Sequence, residues 1–134
     1  HERERPAIAI GEVRKPPAVD GKLDDWGFEK ESVHLTTTRK PGRGGSFALK
    51  THGPHLFLAA RILDETPMVN NGKNWQTPFI SGDCVDLMLA TNATADPERR
   101  RAVEGDLRLL LTELNVEPLA VVYRPVVPGT KSPV

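Results

Sequence analysis

Ser46-Phe47-Ala48-Leu49-Lys50-Thr51-His52-Gly53-Pro54-His55-Leu56-Phe57-Leu58-Ala59-Ala60-Arg61-Ile62-Leu63 is the stretch that decides the fold class. Successive side chains of an extended segment alternate between faces, so Ser46 to Thr51 places Phe47, Leu49 and Thr51 together. The return segment from Leu56 to Leu63 groups Leu56, Leu58, Ala60 and Ile62 by the same rule. His52-Gly53-Pro54-His55 between them has turn chemistry, and both of its histidines are expected in solvent. The whole reads as a β-hairpin.

Working outward, the same punctuation recurs. Upstream, Ala7 to Val13 is strand-like and stops at Arg14-Lys15-Pro16-Pro17, because proline cannot donate to a ladder. In Val19-Asp20-Gly21-Lys22-Leu23-Asp24-Asp25-Trp26, Asp-Gly makes a turn, Asp24 or Asp25 is expected to cap a helical turn, and Trp26 is expected in the core. Ser32 to Thr38 is β-branched and reads as a strand. Downstream, Asp83 to Ala90 alternates, with Val85, Leu87 and Leu89 on one face and Cys84, Asp86 and Met88 on the other. Asp106 to Glu113 and Glu117 to Tyr123 form a second predicted hairpin across Leu114-Asn115-Val116, with Arg108 sharing the parity of Leu110 and Thr112. The charge cluster Glu98-Arg99-Arg100-Arg101 reads as a solvated loop or one helical turn rather than a binding patch.

The chain has 134 residues, with 12 prolines and 11 glycines separating short apolar runs. That length suits a single domain over 1–134, with 1–15 as N-terminal strand and linker and 125–134 as an extended tail. The expected architecture is all-β, strands joined by turns around one core of two stacked layers. The ending Lys131-Ser132-Pro133-Val134 reads as a cut rather than a natural stop, so C-terminal strands are expected to be missing. Eighteen basic residues balance 18 acidic ones. The balance offers no field for nucleic acid or an anionic membrane and points to a neutral partner. Cys84 is the only cysteine, which excludes an intrachain disulfide and is expected to be a buried structural thiol. No apolar stretch approaches the roughly twenty residues that span a bilayer.

Signatures of common enzymes are missing: GxSxG, HExxH, the P-loop, and GxGxxG in its strand and helix context. Asp83 and Asp86 do not make a glycosidase pair, because residues three apart on a strand face opposite ways, whereas that chemistry needs both carboxylates on one cleft about 5 to 10 Å apart. The long loop from Asp64 to Phe79 is of a length that is often functional. It carries Asn70, Asn71, Lys73 and Trp75. A flat indole covers the apolar C–H face of a pyranose while amides and charges bond its hydroxyls, but Trp75 could equally close the end of the core. Asp20, Asp24, Asp25 and Asp64 offer oxygens that a structural calcium could use, although turn and capping roles explain them without a metal and no EF-hand spacing is present. Composition and spacing by themselves point to no other cofactor.

Three segments, in order, carry a family resemblance. Val19 to Trp26 resembles a "DGxLDxxW" opening, Leu56 to Asp64 an "LYVAxxVxD" strand, and Gly82 to Met88 an "xDSVEIF" strand. The pattern resembles that of the family-nine carbohydrate-binding modules and related DOMON-like sandwiches, over roughly residues 16–113. The resemblance implies an antiparallel β-sandwich of jelly-roll type, an immunoglobulin-like two-sheet architecture, in a secreted setting: extracellular or periplasmic, attached to other domains such as a glycoside hydrolase. It also implies non-catalytic binding of oligo- or polysaccharide. Asp86 stands where family members have the sugar-binding carboxylate, and Arg108 where an assisting arginine lies on the following strand. Trp75 would then stack, with Asn70, Asn71 and Lys73 at the rim. The chain departs from the pattern at Ile80, where members have tryptophan, at Asp86, one methylene shorter than glutamate, and in lacking a late second aromatic, for which Tyr123 is a poor substitute. Two other readings compete: a structural or docking sandwich without ligand, and a haem-carrying electron-transfer domain using Met68, as in some DOMON-like relatives.

Overall fold

The structure, a computed structural model, describes residues 10–36 and 44–129. Among these residues the strands form one sheet of four strands and one of three, with only short helical turns between them, consistent with an all-β fold. The chain divides into two compact units, His1–Glu65 and Thr66–Val134.

The first unit is built on the expected hairpin. β1 is Gly11–Glu12, β2 Val33–Thr36, β3 Gly44–His52 and β4 His55–Leu63. β3 and β4 pair antiparallel along their whole length, closing at His52↔His55 over Gly53 and Pro54. Gly53 has φ 53°, a left-handed conformation that suits glycine. The other edge of β3 is shared: β2 pairs antiparallel with residues 44–47 and β1 parallel with Lys50 and Thr51. Of the N-terminal strand expected over Ala7 to Val13, residues 7–9 lie outside the described residues, as do Thr37 and Thr38 of the next.

Period-two alternation holds in this hairpin, yet the more deeply buried parity is Ser46, Ala48 and Lys50 rather than Phe47 and Leu49. Trp26 and Phe28, each 3% exposed, form the core with Ala48 and Ala59, which face each other in register. Two alanines leave the room an indole needs; burying Phe28 alone contributes about 1.5–3 kcal/mol. Lys50 lies 6.0 Å from the Trp26 ring centroid, its stem covered and its ammonium near the π face. Trp26 is thus in the core, as expected. The capping role expected of Asp24 or Asp25 is not found: the 3-10 turn Asp24–Trp26 starts at Leu23 with no side-chain cap. Asp25 instead accepts the Ala18 N–H at 2.7 Å, and Asp20 that of Lys22 at 3.0 Å. A four-residue turn, α1 (Phe28–Glu31), follows.

The second unit holds β5 (Val85–Ala90), β6 (Asp106–Leu114) and β7 (Glu117–Tyr123), an antiparallel meander with β6 central. β5 begins two residues later than expected, because Asp83 belongs to the preceding loop: its backbone N–H bonds the Val69 carbonyl at 3.0 Å, and its carboxylate accepts the Val69 N–H at 3.1 Å. β6 and β7 close at Leu114↔Glu117 through Asn115 (φ 53°) and Val116 (φ 66°), both left-handed. That is the backbone of a two-residue I′ hairpin turn, normally filled by Asn-Gly. Val126, in the segment expected as an extended tail, is buried.

Candidate functional site

The register of the meander decides which side chains meet. Asp86 lies opposite Leu110 and Met88 opposite Arg108, while Arg108 lies opposite Tyr123 and Leu110 opposite Val121. Asp86, Met88, Arg108 and Tyr123 therefore share one sheet face. Toward one end this face is closed, with Leu110 fully buried and Thr112 and Val121 nearly so. Thr112 donates its hydroxyl to the Asp83 carbonyl at 2.6 Å, tying the sheet to the loop above it. Toward the other end the face opens, and Met88 is 72% exposed.

At that opening Arg108 grips Asp86 with two nitrogens. Nε lies 3.1 and 3.0 Å from the carboxylate oxygens, and Nη2 lies 2.7 Å from Oδ2. The fork geometry matches guanidinium to carboxylate, and the pair lifts the Arg108 pKa above its already high ordinary value, chiefly through that hydrogen bond. The guanidinium carbon stands 4.7 Å from the Phe79 ring centroid. Phe79 in turn meets Tyr123 edge-on, with centroids 6.5 Å apart. Tyr123 donates its hydroxyl to the Gln76 carbonyl. An ion pair is thus seated beside two aromatic rings, and among the described residues Nη1 of Arg108 has no partner.

Cys84, on the same parity as Asp86, is partly buried; burial first, then the negative field of Asp86, pushes its thiol pKa up. A raised pKa keeps it in the protonated, unreactive form at neutral pH.

The loop from residue 64 to 84 is held by Asn70. Its side chain, 2% exposed, donates to the Pro78 carbonyl at 2.7 Å and accepts the Gly72 N–H at 3.2 Å. Its backbone carbonyl accepts the Asn115 N–H at 3.1 Å, and Asn70 bridges Gly82. Gly82 lies so close that a Cβ there would sit 2.3 Å from the Val69 carbonyl oxygen. These contacts place the helical turn α2 (Pro78–Ser81), and with it Phe79, over the sheet.

The sequence-derived site residues therefore separate into groups. Asp86 and Arg108 come together. Trp75 is 56% exposed on the loop, and Asn71 and Lys73 are exposed beside it. Asn70, expected at the rim, lies inside the loop as its fastening. Met68 and Ile80 are exposed. Phe79 and Gln76 are site residues that the sequence reading misses. The signal for Phe79 is its place as the aromatic one position before Ile80, at the end of the long loop. Among the described residues no three His, Cys, Asp or Glu side chains gather as a metal-binding group, and no helix is long and apolar enough to cross a membrane. Asp64, one of the calcium candidates, accepts the N–H of Glu65.

A second feature adjoins this site. The connection from Thr91 to Gly105 is pinned at its neck, where the Thr91 hydroxyl and N–H both bond the Gly105 carbonyl, at 2.7 and 3.1 Å. Within it Arg99 bonds Asp106 through Nε and Nη2 and the Asp96 carbonyl through Nη1. Asp106 also accepts the Val103 N–H at 3.0 Å. The Arg99 bond first, then that of Val103, holds the Asp106 carboxyl below the usual carboxylate range.

No family model matches the chain, and no solved structure matches it. Among curated proteins, the actin-like protein ARP8 of Saccharomyces cerevisiae is 26% identical over 131 residues, covering 86% of this chain and 15% of that protein. The chain thus spans about 15% of the length of that relative, and a likeness of this size assigns neither family nor activity.

Proposed function

We propose that the chain is a non-catalytic sugar-binding β-sandwich domain, a module that directs a larger extracellular or periplasmic protein to polysaccharide. The observation that carries this reading is the bidentate Asp86–Arg108 pair on an open sheet face with Phe79 against the guanidinium. A carboxylate and a guanidinium held at fixed separation can bond vicinal hydroxyls, one accepting and the other donating. Phe79, Tyr123 and the exposed Trp75 offer flat apolar surface for pyranose C–H groups.

The sandwich itself draws support from the two sheets taken separately. Phe47, Leu49, Leu58 and Ile62 line a partly covered face of the first, and Leu87, Leu89, Leu107 and Leu109 one of the second. Apolar faces of this kind are satisfied by packing one sheet upon another.

Calorimetric titration of the purified chain with xylo- and cello-oligosaccharides tests the function, with Trp75→Ala and Asp86→Ala in parallel and circular dichroism to verify folding. Heat that is lost in both variants is the expected result. A folded parent that gives no heat with any glycan overturns the proposal. That outcome would favour a docking domain, a reading that draws on the exposed Met68, Val69, Trp75, Phe79 and Ile80.

A further inference from the structure

We infer that the sugar bound at this site carries a carboxylate, and that Arg100 and Arg101 receive it. The inference rests on the sugar-binding reading above and deepens it. Net charge is zero over the whole chain, but charge is not spread evenly. An open groove of about 490 Å3 runs beside the Asp86–Arg108 pair, and its charged lining is Arg99, Arg100, Arg101, Arg108 and Asp106.

These charges are not equivalent. Asp106 is engaged by Arg99, which has every nitrogen committed. Arg108 commits Nε and Nη2 to Asp86. Arg100 and Arg101 are exposed and, among the described residues, have no carboxylate partner. The groove therefore keeps two whole guanidinium groups and the Nη1 of a third for a ligand, and the one acid in its lining is already paired. Its remaining wall is apolar, including Met88, Pro97 and Pro125.

Ring C–H surface against Met88 and the prolines, hydroxyls at the Asp86–Arg108 pair, and an acid group at Arg100 and Arg101 together describe a uronic-acid residue in a glycan. Guanidinium forks suit a planar carboxylate. The connection that carries these arginines is itself held, because Thr91 bonds Gly105 at its neck and Arg99 bonds Asp106.

The test is calorimetric titration of the full chain with xylotetraose, with a xylo-oligosaccharide of equal length bearing one glucuronic acid branch, with oligogalacturonate, and with sodium sulfate alone. Each is repeated on R100Q/R101Q, which leaves Arg99 and Arg108 intact. An acidic glycan is expected to bind on the order of tenfold more tightly than the neutral one, as two exposed ion pairs allow. The advantage should vanish in the double variant. It should also shrink between about 0.05 and about 0.5 M salt, over which the Debye length falls from about 14 to about 4 Å. Equal binding of neutral and acidic glycans overturns the inference and leaves the sugar-binding proposal standing. Sulfate bound as tightly as the acidic glycan overturns the assignment to a sugar acid. No binding of any glycan overturns both.

Discussion

Removal of the Asn70 side chain should destabilise the second unit far more than truncation of an exposed loop residue. Asn70→Ala deletes the donor to the Pro78 carbonyl at 2.7 Å and the acceptor of the Gly72 N–H at 3.2 Å. Pro78 and Gly72 are themselves buried, so neither orphaned group is freely re-solvated. Each buried polar group left unpaired costs about 1–3 kcal/mol, so two of them put the variant about 2–6 kcal/mol below the parent. Against a typical stability of about 5–15 kcal/mol this is a large fraction. The contact to the Asp83 carbonyl, at 3.5 Å, adds little.

Asn70→Asp sharpens the test. It keeps an oxygen for Gly72 but sets a carboxylate against the Pro78 carbonyl in a buried place, so its folded-state pKa should rise above the unfolded value near about 3.9. A raised carboxyl pKa means that stability is retained below the unfolded pKa and lost as pH rises through the folded one. The aspartate variant should therefore be the less stable of the two at pH 7 and recover toward the alanine variant in acid. Urea denaturation followed by circular dichroism at pH 7 and pH 4 reads both effects. An Asn70→Ala variant within about 0.5 kcal/mol of the parent, the range of ordinary surface substitutions, would refute the fastening role.

The remaining expectations are smaller. Val116→Gly should raise the denaturation midpoint, because a β-branched residue at φ 66° carries a left-handed penalty of about 1–2 kcal/mol that glycine avoids, while Val116 at 82% exposure buries almost nothing; an unchanged or lowered midpoint counts against that strain. The depressed Asp106 carboxyl contributes stability that is present above the unfolded carboxylate pKa and lost as pH falls through its folded value. Asp106→Asn should accordingly be less stable than the parent near pH 7, with the gap closing below about pH 4; a gap independent of pH would show that the charge is not what matters.

Local periodicity made both hairpins legible, since Phe47, Leu49 and Leu58, or Leu87 and Leu109, alternate whatever surrounds them. It could not tell which parity would be covered more deeply. That depends on where Trp26 and Phe28 come to rest, and Ala48 and Ala59 are recognisable as their seat only once the chain has folded. The meeting of Asp86 and Arg108 was implied by the resemblance alone, because parity within each strand does not fix which residues of two strands lie opposite. Tyr123 joins them only through the register set by Asn115 and Val116, a turn whose valine conceals its type. Asn70 was the hardest to read, because an asparagine-rich loop has the same composition whether its amides face a ligand or fasten the backbone. Gly72 and Gly82, where added Cβ atoms would meet Ser81 and the Val69 carbonyl, were the available signal of close approach.

The two arginine–aspartate pairs of the second unit show why the pair at Asp86 is the better candidate for recognition. Arg99 and Asp106 retain 20% and 17% side-chain exposure, and their remaining valences go to the Asp96 carbonyl and the Val103 N–H. That pair is accounted for by the loop it braces. Arg108 and Asp86 retain 33% and 31%, bridge strands already joined by a full ladder, and leave Nη1 open. A partly exposed pair contributes only about 0–1 kcal/mol to folding, so stability gives little reason to hold a guanidinium 4.7 Å from the Phe79 ring centroid at the open end of a sheet. Under the sugar-binding proposal, hydroxyls that complete those valences supply one.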